Sequence, residues 1–390
     1  MSKIIFKTIK TIDFCDDVRD GTHDSPKHLD SGRILITSKN IKGDSIDFEH
    51  VSFISEEDYN KINARSLVEK NDILYSMIGT VGLVYRVERE PNYAIKNMGL
   101  FKISDEVKSK WLYYYLKSPE AIGEVTSKLG GSTQKFISLS NLRNLNVKYP
   151  EDSNNAYKII KILDSIEEKI RLNNKTNNNL YEICNCIYNS LLDKYSNLII
   201  DTKLVNIAKR VITGKTPSTK NEEFWNGNIP FITIPDMHNQ VFTINTERTI
   251  SKLGAKAIIP KNSISVSCIA TVGLVSITIE ESQTNQQVNS IVINNDYDLY
   301  YLFEFLSEQT EYLKAIAGGS TTYNINKKTF ENIVIPYLPE ELLKKFNEQV
   351  SCLFERIKEN QIENKNLEQL RDTLLPKLMN GEIDLDNVEI

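Results

Sequence analysis

The chain has 390 residues, enough for about two to three domains, and its 47 Lys+Arg against 52 Asp+Glu give a formal charge of −5. That balance excludes a protein that coats nucleic acid unaided, while leaving room for basic loops or for a partner that supplies the phosphate contacts. Five scattered cysteines, Cys15, Cys184, Cys186, Cys268 and Cys352, exclude a disulfide framework; no apolar run approaches the roughly 18 residues of a membrane span; and "MSKIIFKTIK" lacks a signal peptide's apolar stretch and cleavage site, so a soluble, cytoplasmic protein with no membrane partner is expected.

In chain order, residues 1–150 carry short β-rich runs between turn residues: "RILITS", "DILYSMI", "GLVYRV" and "LNVKYP". These predict strands, and "KWLYYYLKS" among them predicts a helix. Residues 151–196 predict one long helix. Ile159, Leu163, Ile166, Ile170, Asn173, Asn177, Leu180, Cys184, Ile187 and Leu191 step by four and three, the narrow stripe of a coiled coil rather than the wider apolar face of a globular helix. Residues 197–338 return to strands in "IPFITI", "SISVSCI", "LVSITI" and "NIVIPYLP", with a helical "LYYLFEFLSEQTEYLKAI". Residues 339–381 predict a second long helix with the stripe Phe346, Val350, Leu353, Ile357, Asn360, Asn364, Leu367, Arg371, Leu374 and Leu378. Pro376 is expected to kink or end it and Gly381 to sit just past its C-terminus. Residues 382–390 form a tail.

The two halves are copies. "ILITSKNI" at Ile34 matches "PFITIPDM" at Pro230, and "TVGLV" stands at both Thr80 and Thr271. "GGSTQKFISLSNLRNLNV" at Gly130 matches "GGSTTYNINKKTFENIVI" at Gly318, and "IRLNNKTNNNL" at Ile170 matches "IKENQIENKNL" at Ile357. The order is kept and the spacing drifts by a few residues only, as unequal loops make it. The fold class is α+β: two homologous domains and two long helices, an internal repeat with pseudo two-fold character. If the helices pair antiparallel, facing positions sum to a constant. Taking 537 sets Asn173 opposite Asn364 and Asn177 opposite Asn360, with Ile170 by Leu367, Leu180 by Ile357, Leu163 by Leu374 and Ile187 by Val350. Paired Asn layers would fix this register.

Catalytic motifs fail one by one. "GKTPST" at Gly214 lacks the first glycine of a phosphate-binding loop, since position 209 is lysine. "NIPF" at Asn228 resembles an amino-methyltransferase signature, but Ile229 replaces its first proline and no glycine-rich turn precedes it. The four histidines and five cysteines show no metal spacing. The chain is therefore expected to be non-catalytic, binding neither metal nor cofactor.

Two domains on two long helices suit a ruler for a target with two separated elements, and half-sites along a DNA duplex mirror protein two-fold symmetry. The polar loops offer DNA-binding candidates: Thr22 and His23 in "DGTHDSPK"; Ser38, Lys39 and Asn40 in "TSKNIKG"; Thr133, Gln134 and Lys135 in "GSTQK"; Lys215, Thr216, Ser218 and Lys220 in "GKTPSTKN"; Thr233 and Asp236 in "FITIPD"; Thr321, Thr322, Tyr323 and Asn324 in "GSTTYN". Such side chains hold phosphates or read base edges; ordinary turn formation is the competing account.

With "DGTHDSPK" and "LITSKNI", "GKTPSTKN" and "IPFIT", a "GGST" before each domain's last strand, and the helical "IIKILDSIEEKIRLNN" and "LLPKLMNGEIDL", essentially the whole chain resembles the specificity subunit of a type I restriction-modification system. The resemblance implies two α/β target recognition domains separated by two long antiparallel coiled-coil helices. It implies a double-stranded DNA partner read as a bipartite, asymmetric sequence. It further implies two modification subunits that use S-adenosylmethionine to methylate adenine N6, and restriction/translocase subunits that use ATP and Mg. An interaction scaffold that binds no DNA is the alternative.

Overall fold

Residues 4–43, 45–131, 133–238, 240–318 and 323–385 are described by the structure, a computed structural model. In the first β-rich segment, strand β1 (Phe6–Lys10) is followed by β2 (Asp17–Asp20), β3 (Arg33–Ile36), β4 (Ser52–Ile54), β5 (Ile73–Ser76), β6 (Val84–Arg86), β7 (Tyr93–Ile95) and β8 (Met98–Lys102), with the short pair Ile41–Lys42 and Ser45–Ile46 between β3 and β4 and helix α1 (Glu56–Ser66) after β4. Helix α2 (Glu106–Leu116) and strand β9 (Asn146–Pro150) follow. A four-stranded antiparallel sheet has the order β2-β8-β5-β6, a three-stranded one the order β4-β3-β7, and β1 pairs with β9. The stretch Trp111–Leu116 is buried on every side, as a helix apolar all round must be. The Trp111 indole N–H donates to the Lys148 carbonyl at 2.7 Å, so its polar atom is satisfied inside the core.

The long helices are α3 (Ser153–Lys194) and, after the second β-rich segment, α5 (Glu340–Met379). The chain divides into two units, Met1–Glu167 with Gln369–Ile390, and Glu168–Glu368, so each helix contributes to both. In the first unit, Ala156, Ile159, Ile160 and Leu163 of α3 join Leu375, Leu378 and Met379 of α5 in the core around Trp111. The ends of the helices thus pack on the domain rather than standing apart as a linker. Arg371 donates to Glu167 across the pair at 3.1 Å, both side chains largely buried. This explains a charged residue on an apolar stripe: its fork is satisfied by a carboxylate on the facing helix.

Pro376 neither ends nor interrupts α5, which continues to Met379. The helix then closes on Gly381 at φ +68°: the Gly381 N–H donates to the Leu378 carbonyl and the Glu382 N–H to that of Lys377. That is the left-handed C-terminal cap expected of the glycine. A Cβ here would also meet Phe6 at 2.8 Å.

The second unit repeats the plan. Its strands are β10 (Ile200–Lys203), β11 (Ala208–Thr213), β12 (Trp225–Ile232), β13 (Phe242–Thr243), β14 (Arg248–Ile250), β15 (Ile258–Ile259), β16 (Ser263–Ser267), β17 (Val275–Thr278), β18 (Ser282–Thr284), β19 (Val288–Ile293) and β20 (Val334–Tyr337), with helix α4 (Leu299–Glu308) between the last two. The sheets are β11-β19-β16-β17-β13, β14-β12-β18-β15 and β10-β20. These are the sheets of the first unit with a strand added at one edge of each larger sheet. The expected single helix from Leu299 is two, because the chain breaks at Gln309 and restarts at Thr310.

Within the second unit α3 and α5 run antiparallel. Asn173 Nδ2 donates to Asn364 Oδ1 at 2.9 Å, and Asn360 Nδ2 donates to Asn177 Oδ1 at 2.8 Å; all four are buried. Asn173 also donates to Glu363, and Asn364 to Asn174. Beyond this polar layer, Cys184, Tyr188, Val350, Phe354 and Ile357 merge with the domain core.

Candidate nucleic-acid interface

Strand register decides where the loops emerge. In the first unit β2 ends at Asp20 opposite Gly99, next to the start of β8. Met98, the first residue of β8, faces Ser76, the last of β5, and Tyr75 faces Val84, the first of β6. The loops after β2 and β5 and before β8 and β6 therefore leave the same end of the sheet. Strand β3 joins them because it runs parallel to β7 with Ile36 opposite Ile95; the Lys96 N–H donates to Ile36 and that of Thr22 to Ile95. The second unit repeats the arrangement. Thr213 faces Asn289, Val288 faces Ser267, and Val266 faces Val275. Ile232 faces Thr284, whose carbonyl accepts from the Lys215 N–H.

The duplicated motifs meet at this end. Gly82 donates to the Ser76 carbonyl and Leu83 to the Ser76 hydroxyl; Gly273 and Leu274 make the same two bonds to Ser267. "TVGLV" is thus a turn folded over a buried serine. The described residues that flank each "GGST" close onto it. The Gly79 N–H donates to Lys135, and Gly130 exchanges both backbone bonds with Phe136. In the second copy Ala270 donates to Tyr323, and Gly318 exchanges both bonds with Asn324. Gly79 (φ +78°) and Ala270 (φ +65°) are both left-handed. The alanine holds this costly conformation while its N–H donates to the Tyr323 carbonyl.

The candidates separate into two groups. Asn40 is buried: its Oδ1 accepts from Thr37 N and Oγ1 at 3.0 Å, and its Nδ2 donates to the carbonyls of Asp47 and His50. Asp236 is its counterpart. Its Oδ2 accepts from Thr233 N at 2.7 Å and Oγ1 at 2.6 Å, and its Oδ1 from Glu247 N at 2.9 Å. Asn40, Thr233 and Asp236, all named as DNA-binding candidates, hold their own turns through these bonds. Thr22 and Ser38 are half-buried, and the Thr22 hydroxyl accepts from the Asp24 N–H.

Lys39, Thr133, Gln134, Lys135, Lys215, Thr216, Ser218, Lys220, Tyr323 and Asn324 are exposed. Thr216 donates to Gln286. Thr321 and Thr322 lie outside the described residues. His23 is held between Asn97 Oδ1, 2.9 Å from Nδ1, and Asp20 Oδ2, 2.8 Å from Nε2, and these bonds raise its pKa, the one to Asn97 most. Sequence reasoning missed Lys96, Asn97, Gln286 and Gln287, which occupy the loops before β8 and β19. Only the pairing of those strands with β2 and β11 brings them beside "DGTH" and "GKT".

Among the described residues no group of His, Cys, Asp and Glu could hold a metal ion, and no helix is long and apolar enough to cross a membrane. The family described as type I restriction modification DNA specificity domain matches residues 7–182 and 202–371. The specificity subunit of type I restriction enzyme HindI from Haemophilus influenzae is 46% identical over 47% of this chain and 41% of its own length. That of MjaIX from Methanocaldococcus jannaschii is 33% identical over 44% of this chain and 41% of its own. The chain thus spans about two fifths of the length of these relatives. The crystal structure of a type I restriction-modification S subunit from M. genitalium matches 97% of both chains with a TM-score of 0.58 at 16% identity, a likeness of fold.

Proposed function

The chain belongs to the type I restriction-modification DNA specificity family, and from that premise we propose that it selects a bipartite, asymmetric DNA sequence, one half-site per β-rich domain. The observation that carries this reading is the repeated loop end. In each unit the same strand register gathers the same five loops, tipped by exposed Lys, Thr and Gln side chains. Such groups hold phosphates and reach base edges. A rigid platform beneath them supports accurate reading. The helix pair would set the unread spacer between half-sites.

On this reading the chain scaffolds two modification subunits, which bind S-adenosylmethionine and methylate adenine N6, and restriction subunits that hydrolyse ATP with Mg. The chain itself would do no chemistry. Its acidic balance suits this division, because partners that close around the duplex would supply the missing positive charge. Mapping methylated adenines in host DNA with and without the gene tests the proposal. A two-part motif should vanish with the gene, and the chain with its partners should bind duplex DNA with affinity that falls steeply with salt. Salt-independent binding, or an unchanged methylome, would leave an interaction scaffold as the better account.

A further inference from the structure

His23 stands at the loop end of the first unit with both ring nitrogens engaged. Asp20 is a carboxylate, so the Nε2 at 2.8 Å from it carries a proton. Nδ1 faces Asn97 Oδ1 at 2.9 Å, and an amide oxygen accepts and cannot donate. A ring that donates from both nitrogens is an imidazolium. The Asp20 side chain is 6% exposed and that of His23 54%, so the anion lies beneath and the cation at the surface. Arg65 is the other charged group on Asp20, pairing with Oδ1. Nearby Lys96 is turned away to the Ser25 hydroxyl at 2.7 Å. With its two N–H groups spent, His23 has none left for a base edge, and what it offers outward is charge. In the second unit Lys215 and Thr216 occupy the loop that matches the one carrying His23.

We propose that His23 binds a backbone phosphate of the duplex as a positioned imidazolium, making the grip of the first domain depend on pH. This rests on the DNA-reading function proposed above. A charge on phosphate carries no sequence information, so His23 sets affinity and not motif. The sign is fixed. His23 is charged below its raised pKa, so affinity is greatest at acidic pH and declines as pH rises through that value.

The test uses the full chain with its modification partners and a duplex bearing the mapped motif. Wild type should lose affinity as pH rises through and above the ordinary histidine range. His23→Gln should bind more weakly at the acid end, abolish that decline, shrink the salt slope by about one and leave the methylated motif intact. Asn97→Gly keeps the left-handed backbone that Asn97 adopts at φ +54° and removes one acceptor. It should move the pH midpoint, and the His23 titration followed by NMR, toward ordinary histidine. A His23→Gln motif altered at one position would overturn the proposal in favour of base reading. A pH profile and salt slope identical to wild type, or an unshifted titration in Asn97→Gly, would also overturn it. If wild type shows no salt-dependent DNA binding at any pH, the proposed function itself fails; if it binds and reads its motif with a flat pH profile, only this inference does.

Discussion

At the scale of single residues, burial separates side chains that hold the fold from those free to meet a ligand. Glu304 of α4 is fully buried among aromatic residues. Its Oε2 accepts only a long bond from Asn185 at 3.4 Å and its Oε1 has no partner. Burial pushes its pKa up to about 8, with Glu308 adding to the rise. The folded state therefore holds a proton that the unfolded chain releases in the ordinary carboxylate range. Stability is fullest below that range and is lost as pH rises toward and through about 8. Thermal unfolding from pH 5 to 9 should show this decline, on the order of a few kcal/mol, and Glu304→Gln should flatten it. A wild-type profile that rises over the same interval would mean that the carboxyl is ionised and paired.

Asp236 gives a second test at this scale. Its carboxylate accepts three bonds within its own turn, so Asp236→Ala should cost about 1–2 kcal/mol of stability, as loss of a cap does, and leave the motif unchanged. Lys215→Ala, at an exposed position, should leave stability unchanged. It should either relax the second half-site by about 1–3 kcal/mol at one base or weaken binding to all sequences equally. Methylation mapping beside melting curves distinguishes these outcomes.

At the scale of elements, the helix pair is specified by polar contacts that an amphipathic pattern alone would not require. Asn173, Asn177, Asn360 and Asn364 bond across the two helices in a buried layer. Replacing Asn364 alone by Leu removes one of the two acceptors of the Asn173 amide, leaving Glu363, and the donor to Asn174, and should cost about 1–3 kcal/mol. Replacing both Asn173 and Asn364 by Leu removes the half-paired amide and should recover part of that loss while weakening the choice of register. Melting temperatures of the two single variants and the double variant measure the coupling; additive losses would show that the pair does not act as a unit.

At the scale of the whole molecule, the boundaries that matter for exchange are not the ones a linker picture draws. Leu375, Leu378, Met379 and Leu385, near the end of the chain, belong to the core of the first unit beside Phe14, Trp111 and Tyr149. Exchanging residues 1–150 for a relative's domain should change one half of the methylated motif. The exchange should be more stable when residues 369–385 travel with it, because core complementarity then survives. Equal melting temperatures with and without that segment would show the contact to be dispensable, and a swap that altered both half-sites would refute the two-reader proposal.

The sequence by itself determined the repeat, the α+β class and the two long helices. These are periodic or local properties: copied segments keep their order, strands alternate between turn residues, and a stripe stepping by four and three survives over ten positions. It also placed the Gly381 cap, since only glycine takes a left-handed backbone there without penalty. It named most of the exposed loop residues, yet could not tell Asn40 and Asp236, which close their own turns, from Lys39 and Lys215, which face outward; polar loops read alike until their hydrogen-bond partners are known. The pairing of β2 with β8 and of β11 with β19 decided that Lys96, Asn97, Gln286 and Gln287 join the same end. Backbone bonds from Gly79 to Lys135 and from Ala270 to Tyr323 likewise join each "TVGLV" turn to residues some fifty positions further on. Those contacts are long-range, fixed by which strands bury their faces together, and no local pattern of residues encodes them.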